Sequence, residues 1–171
     1  EVTLVRLKDG RLYAAMRVET DDGLFHQMWS SDDGRTWTIP EPMHLIDDSD
    51  HKPGRAWPRA TVLDDGTLVM VYGRPGKDLI FDPSGTGRQW QGRFDISALE
   101  KETQALLGVP EELRIRRPHP YVRDWDSSDY LAVLPDGPRE LVVLYDAQHY
   151  VENWNAKPVS VVRILRVRPE D

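Results

Sequence analysis

The stretch "LKDGRLYAAMR" (Leu7–Arg17) joins an Asp-Gly pair to an apolar run that stops at a charged residue. An Asp-Gly between two apolar runs is a strong tight-hairpin signal, because Gly takes positive φ without steric cost. The run before it, "VTLVRL", supplies the hairpin's other strand. The same plan returns twice: "LDDGTLVMVYGR" (Leu63–Arg74) follows "RATVL", and "LPDGPRELVVLYD" (Leu134–Asp146) follows "YLAVL".

The repeat glycines, Gly10, Gly66 and Gly137, are spaced 56 and then 71 residues apart. The longer interval holds "SALEKETQALLGVP" (Ser97–Pro110), which reads as an inserted amphipathic helix over 97–109. Ser97 is its expected N-cap, Glu100 completes a capping box, and Gly108 with Pro110 ends it. Each unit runs on into further strand: "LFHQMWS" to "TWTIPEPM" in the first, "KDLIFD" to "QWQGRFDI" in the second. Short antiparallel strands recurring in this way predict an all-β fold of β-propeller blades, each with four antiparallel strands. The expected units are 1–46, 55–96 and 127–171, about three blades with one short inserted helix. The third unit shows one strand fewer. A β-sandwich is the alternative, although sandwiches rarely repeat one hairpin signature three times.

Composition narrows the function. The chain has 171 residues, 39% hydrophobic and 30% charged, which suits one globular domain with a real core. A formal charge of -7 with scattered Lys and Arg argues against a nucleic-acid partner. No apolar run approaches the ~18 residues of a membrane span. With no cysteine, disulfides and thiolate chemistry are excluded. "EVTLVRL" has no signal-peptide pattern and reads as a strand already under way, as in a chain cut from something longer.

Ser30-x-Asp32-x-Gly34-x-Thr36-Trp37, within "SSDDGRTW", resembles the Asp box, the BNR repeat of the sialidase (neuraminidase) superfamily. "DPSGTGRQW" (Asp82–Trp90) is a degraded version in the second unit, with Asp and Ser exchanged. With the three hairpins and "SSDYLAVLPDG", the resemblance covers nearly the whole chain. It implies the C-terminal half of a sialidase-like propeller of about six blades. Such proteins are mostly glycoside hydrolases, with lectins, lyases and non-catalytic relatives beside them, and the resemblance favours a secreted or periplasmic setting. The motif itself reads as a turn: Ser and Asp oxygens accept turn amides, Gly34 supplies a left-handed residue, and Trp37 anchors the turn.

Strand counting then divides the molecule. The Asp-Gly turns join first and second strands and the Ser30–Trp37 turn joins third and fourth, so both occupy one end, the back. The front collects the ends of second strands, Arg17, Arg74 and Asp146, followed by "AQHYVENW" (Ala147–Trp154). It also collects the links "HKPGRAWPR" (His51–Arg59) and "RRPHPYVRDWDSSDY" (Arg116–Tyr130). This mixture of Arg, Asp, His, Trp and Tyr suits a sugar, since planar aromatics stack on pyranose faces and charged groups hold hydroxyls or a carboxylate.

Sialidases use an arginine cluster and a Tyr nucleophile. By resemblance Tyr130 in "SSDYLAV" corresponds to that nucleophile, and Asp146 to the acidic residue closing the following strand. Asp126 and Asp129, with Asp124, are the front carboxylates able to assist as acids. Arg17, Arg59, Arg74, Trp57, His119, Arg123 and His149 are the expected substrate-binding residues. The Arg-Ile-Pro signature of the first sialidase blade is absent, and no glutamate placed to activate the Tyr is identifiable. Each front residue has a plainer alternative: Arg17 and Arg74 as blade bridges, Tyr130 as a core aromatic, Trp57 and Trp125 as packing. His51, His119 and His149 lack metal-ligand spacing, "DDSD" (Asp47–Asp50) reads as a solvated acidic loop, and "GRPGKD" (Gly73–Asp78) lacks phosphate-loop spacing. No metal or other cofactor is expected. The expected activity is hydrolysis of a terminal sugar, acidic sugars included; the alternative is a non-catalytic carbohydrate-binding or structural propeller. The expected partners are a carbohydrate and either missing blades or a second copy, because an open wedge of blades exposes apolar faces.

Overall fold

The computed structural model describes residues 1–54, 56–73, 76–96, 98–99, 130–149 and 159–167, with the backbone alone for 146–149 and 159–166. β1 (Val2–Arg6), β2 (Leu12–Arg17), β3 (Phe25–Ser30) and β4 (Glu41–Pro42) form the first sheet, in chain order. β5 (Ala56–Val62), β6 (Leu68–Gly73), β7 (Lys77–Asp82) and β8 (Gln91–Asp95) repeat that order in the second. β9 (Leu131–Pro135), β10 (Leu141–His149) and β11 (Val159–Val167) form a three-stranded third sheet among the described residues. All sheet neighbours are antiparallel.

The Asp-Gly hairpins close as their chemistry requires. Leu7 N–H donates to Arg11 O at 2.8 Å, and Leu63 N–H donates to Thr67 O at 2.9 Å. In the third hairpin the equivalent bond runs from Asp136 N–H to Glu140 O at 2.9 Å. The third turn has therefore slid two residues along its motif: Leu134, not Asp136, is the residue the sequence aligns with Leu7. Leu134 pairs with Val142 as Val5 pairs with Tyr13, so Val5 is its structural counterpart. A slide of two keeps every side chain on its own face, whereas a slide of one would invert them all.

Two other expectations are corrected. The strand expected across "TWTIPEPM" is ladder-paired only at Glu41–Pro42, because Pro40 and Pro42 carry no amide proton. Thr38 N–H still reaches Trp29 O at 2.9 Å and Met43 N–H reaches Phe25 O at 2.8 Å, which keeps this segment along the outer edge. The inserted helix begins at Ile96, with the Asp95 carboxylate accepting Ala98 N–H at 2.9 Å in the capping position. Ser97 and residues 100–109 lie outside the described residues.

Alternation along each strand fixes which sheet it meets. Tyr13, Ala15, Phe25 and Trp29 of the first sheet pack on Leu68, Met70, Tyr72 and Ile80 of the second. Val69, Val71 and Leu79 on the second sheet's other face pack on Leu131, Val133, Leu141 and Val143 of the third. The sheets thus stack face to face as successive blades, with the first strands β1, β5 and β9 side by side along the inner edge.

Candidate functional site

The turn Ser30–Trp37 lies at the back, beside the first Asp-Gly turn: Arg6 Nη2 is 2.9 Å from Asp33 Oδ1. Ser30 Oγ accepts Gly34 N–H at 2.9 Å, while Asp32 accepts Thr36 N–H at 2.8 Å and the Thr36 hydroxyl at 2.6 Å. Trp37 closes the turn by donating its indole N–H to Gly34 O at 3.0 Å. The Thr36 hydroxyl and amide and the Ser30 hydroxyl stabilise the charged carboxylate, holding Asp32 down at about 2. In the second sheet Asp82 is fully buried and takes the corresponding role, accepting the amides of Ser84 (2.8 Å), Gly87 (2.7 Å) and Gln89 (3.1 Å). These acids are saturated by turn amides and hydroxyls, so their work is to shape turns.

The front is different. Glu1, Trp57 and Tyr130 stand at the same station, the front ends of three successive inner strands. Arg17 N–H donates to Glu1 O at 2.9 Å, and the Arg17 guanidinium lies 3.5 Å from Glu1 Oε1. The other carboxylate oxygen, Oε2, accepts Trp57 N–H at 2.7 Å. Trp57 adopts φ 52 directly before Pro58, within the register shift between Ala56 and Arg59. A bulky residue in the left-handed region costs about 1–3 kcal/mol, and such strain collects at functional sites. The bulge aims the indole between two predicted site residues. The Arg59 guanidinium lies 3.8 Å from its ring centroid, and the Tyr130 ring meets it edge-on at 4.6 Å. Arg59 also donates to Val2 O at 3.2 Å and Pro58 O at 3.1 Å, which ties β5 to β1. Tyr130 is 45% exposed, so it is not the core aromatic of the plainer reading.

The structure therefore brings Arg17, Trp57, Arg59 and Tyr130 together. Leu131 pairs with Tyr145, so Tyr130 and Asp146 come next to one another on neighbouring strands at that end. Asp146 and His149 lie in β10, opposite Val162 and Val159, with only their backbone described. Arg74, His119, Arg123, Asp126 and Asp129 lie outside the described residues, as do Asp124 and Trp125. Glu1, which links Arg17 to Trp57, was missed; a carboxylate one step before an inner strand, opposite a strand-ending arginine, is the signal that marks it. Among the described residues, no three His, Asp or Glu side chains are grouped to hold a metal ion.

A second front cluster, farther out between the first two blades, was also missed. His51 Nε2 lies 2.6 Å from the Tyr72 hydroxyl and 3.7 Å from Asp78 Oδ2, and Arg93 Nε donates to Asp78 Oδ1 at 2.8 Å. Burial pushes Asp78 up to about 6, and its Arg93 ion pair offsets only part of that effect. Burial, with the Arg93 charge, pulls His51 down, while burial raises Tyr72. Both shifts favour the uncharged forms, and the Tyr72 hydroxyl and His51 Nε2 share one hydrogen bond. The cluster clamps the link 47–54 onto the second blade. Phe25 N–H fastens the same link by donating to Pro53 O at 2.7 Å. At Gly54 an added Cβ would stand 1.9 Å from Gly23 O, so no other residue fits there. The link that carries Trp57 is held rigidly before it reaches the site.

No family model matches the sequence, and no curated protein sequence matches it. Solved structures do match in three dimensions. A protein of unknown function from Dyadobacter fermentans superposes at TM-score 0.61 and 16% identity, covering 97% of this chain and 50% of its own. An α-L-arabinofuranosidase from Fusarium graminearum, solved with an iminosugar inhibitor, gives 0.52 and 13%, covering 95% of this chain and 44% of its own. The chain has the fold of part of a β-propeller. An intramolecular trans-sialidase from Ruminococcus gnavus, solved with oseltamivir carboxylate, matches at 0.51 and 16%, covering 97% of this chain and 32% of its own. The chain thus spans half or less of the length of the propeller structures it resembles.

Proposed function

We propose that this chain is part of a sialidase-like glycoside hydrolase propeller that removes a terminal sugar from a glycan, with acidic sugars among its substrates. The observation that carries the reading is the convergence of Arg17, Trp57, Arg59 and Tyr130 at the front ends of the inner strands, on a strained bulge. A half-exposed phenol beside an indole and two guanidiniums suits a sugar ring whose hydroxyls or carboxylate need donors. The back-end turns Ser30–Trp37 and Asp82–Trp90 support the Asp-box reading, since their polar groups are spent on turn amides.

Tyr130 acts as the nucleophile. Its phenol oxygen bonds to the anomeric carbon as the glycosidic bond breaks; one carboxylate of the pair Asp126 and Asp129 takes the phenol proton while the other, as the acid, protonates the departing oxygen. Water then bonds to the anomeric carbon as the carbon–phenol bond breaks, giving a proton back to the acid while the first carboxyl returns the proton to the phenol. Asp146, next to Tyr130 across the β9–β10 pair, supports an arginine. Arg74, His119, Arg123 and His149 complete the substrate contacts. The same exposed Tyr130–Trp57 pair suits the second reading, a carbohydrate-binding module without turnover.

Chromogenic glycosides, sialosides and arabinofuranosides included, test the choice. The expected result is turnover of at least one, with Tyr130→Phe lowering kcat about 100-fold or more at unchanged Tm. Full activity in Tyr130→Phe would discard the nucleophile assignment. Glycan binding with no turnover would replace the hydrolase by the binding module.

A further inference from the structure

The start of β1 holds β5 through consecutive residues. Glu1 Oε2 accepts Trp57 N–H at 2.7 Å, Val2 O accepts the Arg59 guanidinium at 3.2 Å, and Thr3 Oγ1 accepts Ala60 N–H at 2.9 Å. An unbroken strand would turn the Trp57 and Ala60 amides to opposite edges, because they stand an odd number of residues apart. The bulge between Ala56 and Arg59 turns both toward β1. Of the two residues inside the bulge, Pro58 carries no N–H, so Trp57 supplies the backbone donor there. A carboxylate on that donor makes a charge-assisted bond. The Glu1 side chain is 19% exposed, which leaves little water to compete for it, and Arg17 at 3.5 Å holds its second oxygen. Trp57 stands at φ 52, a conformation that a bulky residue adopts only where its surroundings impose it. In that conformation the indole meets the Tyr130 ring at 4.6 Å and the Arg59 guanidinium at 3.8 Å.

We infer that Glu1 is a positioning residue: by holding the Trp57 amide, its carboxylate sets the indole against which Tyr130 and Arg59 pack, and it acts on a sugar through them. Loss of that acceptor lets Trp57 relax out of the left-handed region, and the indole moves with the backbone. Tyr130 and Arg59 then lose the surface that orients them. The placement of the indole is a matter of this hydrogen bond alone. Its effect on turnover rests on the glycosidase reading proposed above.

Fluorine NMR of the chain labelled with fluorotryptophan reads the indole directly, with the Trp57 line assigned from its loss in Trp57→Phe. Glu1→Ala is expected to shift or broaden the Trp57 line, while those of Trp29 and Trp90 in the first seam stay in place. Glu1→Gln, whose amide oxygen still accepts the N–H, is expected to return the line toward its wild-type position. On a hydrolysed glycoside, Glu1→Ala should lower kcat/KM about 10-fold or more, chiefly through kcat, and Glu1→Gln should recover most of that loss. A Trp57 line unmoved in Glu1→Ala would overturn the inference. So would a line displaced as far in Glu1→Gln, since charge and not the hydrogen bond would then be at work. Equal shifts at Trp29 and Trp90 would mean general loosening and would overturn it too, as would a moved Trp57 line with kcat/KM unchanged. If wild type hydrolyses no glycoside, the hydrolase reading falls, while the fluorine lines still decide whether Glu1 sets the indole.

Discussion

The two seams between blades are built from different materials. Between the first and second blades, five buried aromatic rings, Tyr13, Phe25, Trp29, Tyr72 and Trp90, interlock around polar atoms. The Gln27 side-chain oxygen accepts both the Tyr13 hydroxyl at 3.0 Å and the Trp90 indole N–H at 3.2 Å. Trp29 donates across the seam to Thr86 O at 2.7 Å, and Arg88 covers its ring at 4.0 Å. The seam between the second and third blades is mainly aliphatic, with Tyr145 the one ring among its buried described members and Phe81 and Phe94 packed at its margin. Directional hydrogen bonds fix one docking pose, whereas an aliphatic face accepts several partners of suitable shape. The first seam also holds the link leading to Trp57, so precision is placed where the candidate site needs it.

Truncation of the largest side chain should show this most strongly. Trp90→Ala empties a fully buried site and leaves Gln27 and Tyr13 with a lost partner, an expected cost of about 4 kcal/mol. Leu141→Ala in the aliphatic seam should cost about 3 kcal/mol. The sharper measurement is activity at a temperature where both variants remain folded. Trp90→Ala should lose kcat/KM through the displaced link, and Leu141→Ala should retain it. Equal losses would mean that both seams only hold the blades together.

The first seam should also carry a pH signature. Asp78 is raised from 3.8 to about 6 in the fold, so the stability linked to it is present below pH 4 and lost as pH rises through 6. Two units correspond to a swing of about 3 kcal/mol. His51 is shifted the other way: its contribution is present above pH 6.5 and lost as pH falls. Asp78→Asn removes the first effect and leaves the second. The stability of wild type relative to Asp78→Asn, from urea midpoints, should therefore fall between pH 4 and 6.5. A difference that is constant or rises over that range would show that Arg93 holds Asp78 charged throughout.

Much of this architecture was legible in local chemistry. Gly10, Gly66 and Asp82 announce their turns because a hairpin needs a residue at positive φ and a carboxylate to collect stray amides. Front and back followed from strand counting alone. The two-residue slide of the third hairpin did not, because Pro138 and Arg139 alter the turn while leaving the face pattern intact. At the candidate site, Arg17, Arg59, Trp57 and Tyr130 were legible as residues at strand ends of one face. Glu1, His51, Asp78 and Arg93 were not, because their roles arise between segments far apart in sequence. Nothing in "KDLIFD" or "GRFD" says that Asp78 and Arg93 will meet beneath His51.

The smallest expected effect tests the fit of the seams at two glycines. Gly87 has φ +81, and a Cβ placed there would stand 2.5 Å from the Tyr13 ring and 3.2 Å from Trp29 Nε1. Gly137, in the hairpin turn of the third blade, has φ +129 and nothing within 4 Å of such a Cβ. Alanine at Gly137 should therefore cost only its backbone strain, about 1 kcal/mol. Alanine at Gly87 adds to that strain a collision with two buried rings that Gln27 and Thr86 hold in place, about 2 kcal/mol more. Urea midpoints of the two variants measure the difference directly. If Gly87→Ala were no worse than Gly137→Ala, Tyr13 would have to yield, and the hydrogen bonds around Gln27 would not be fixing the pose of the first seam.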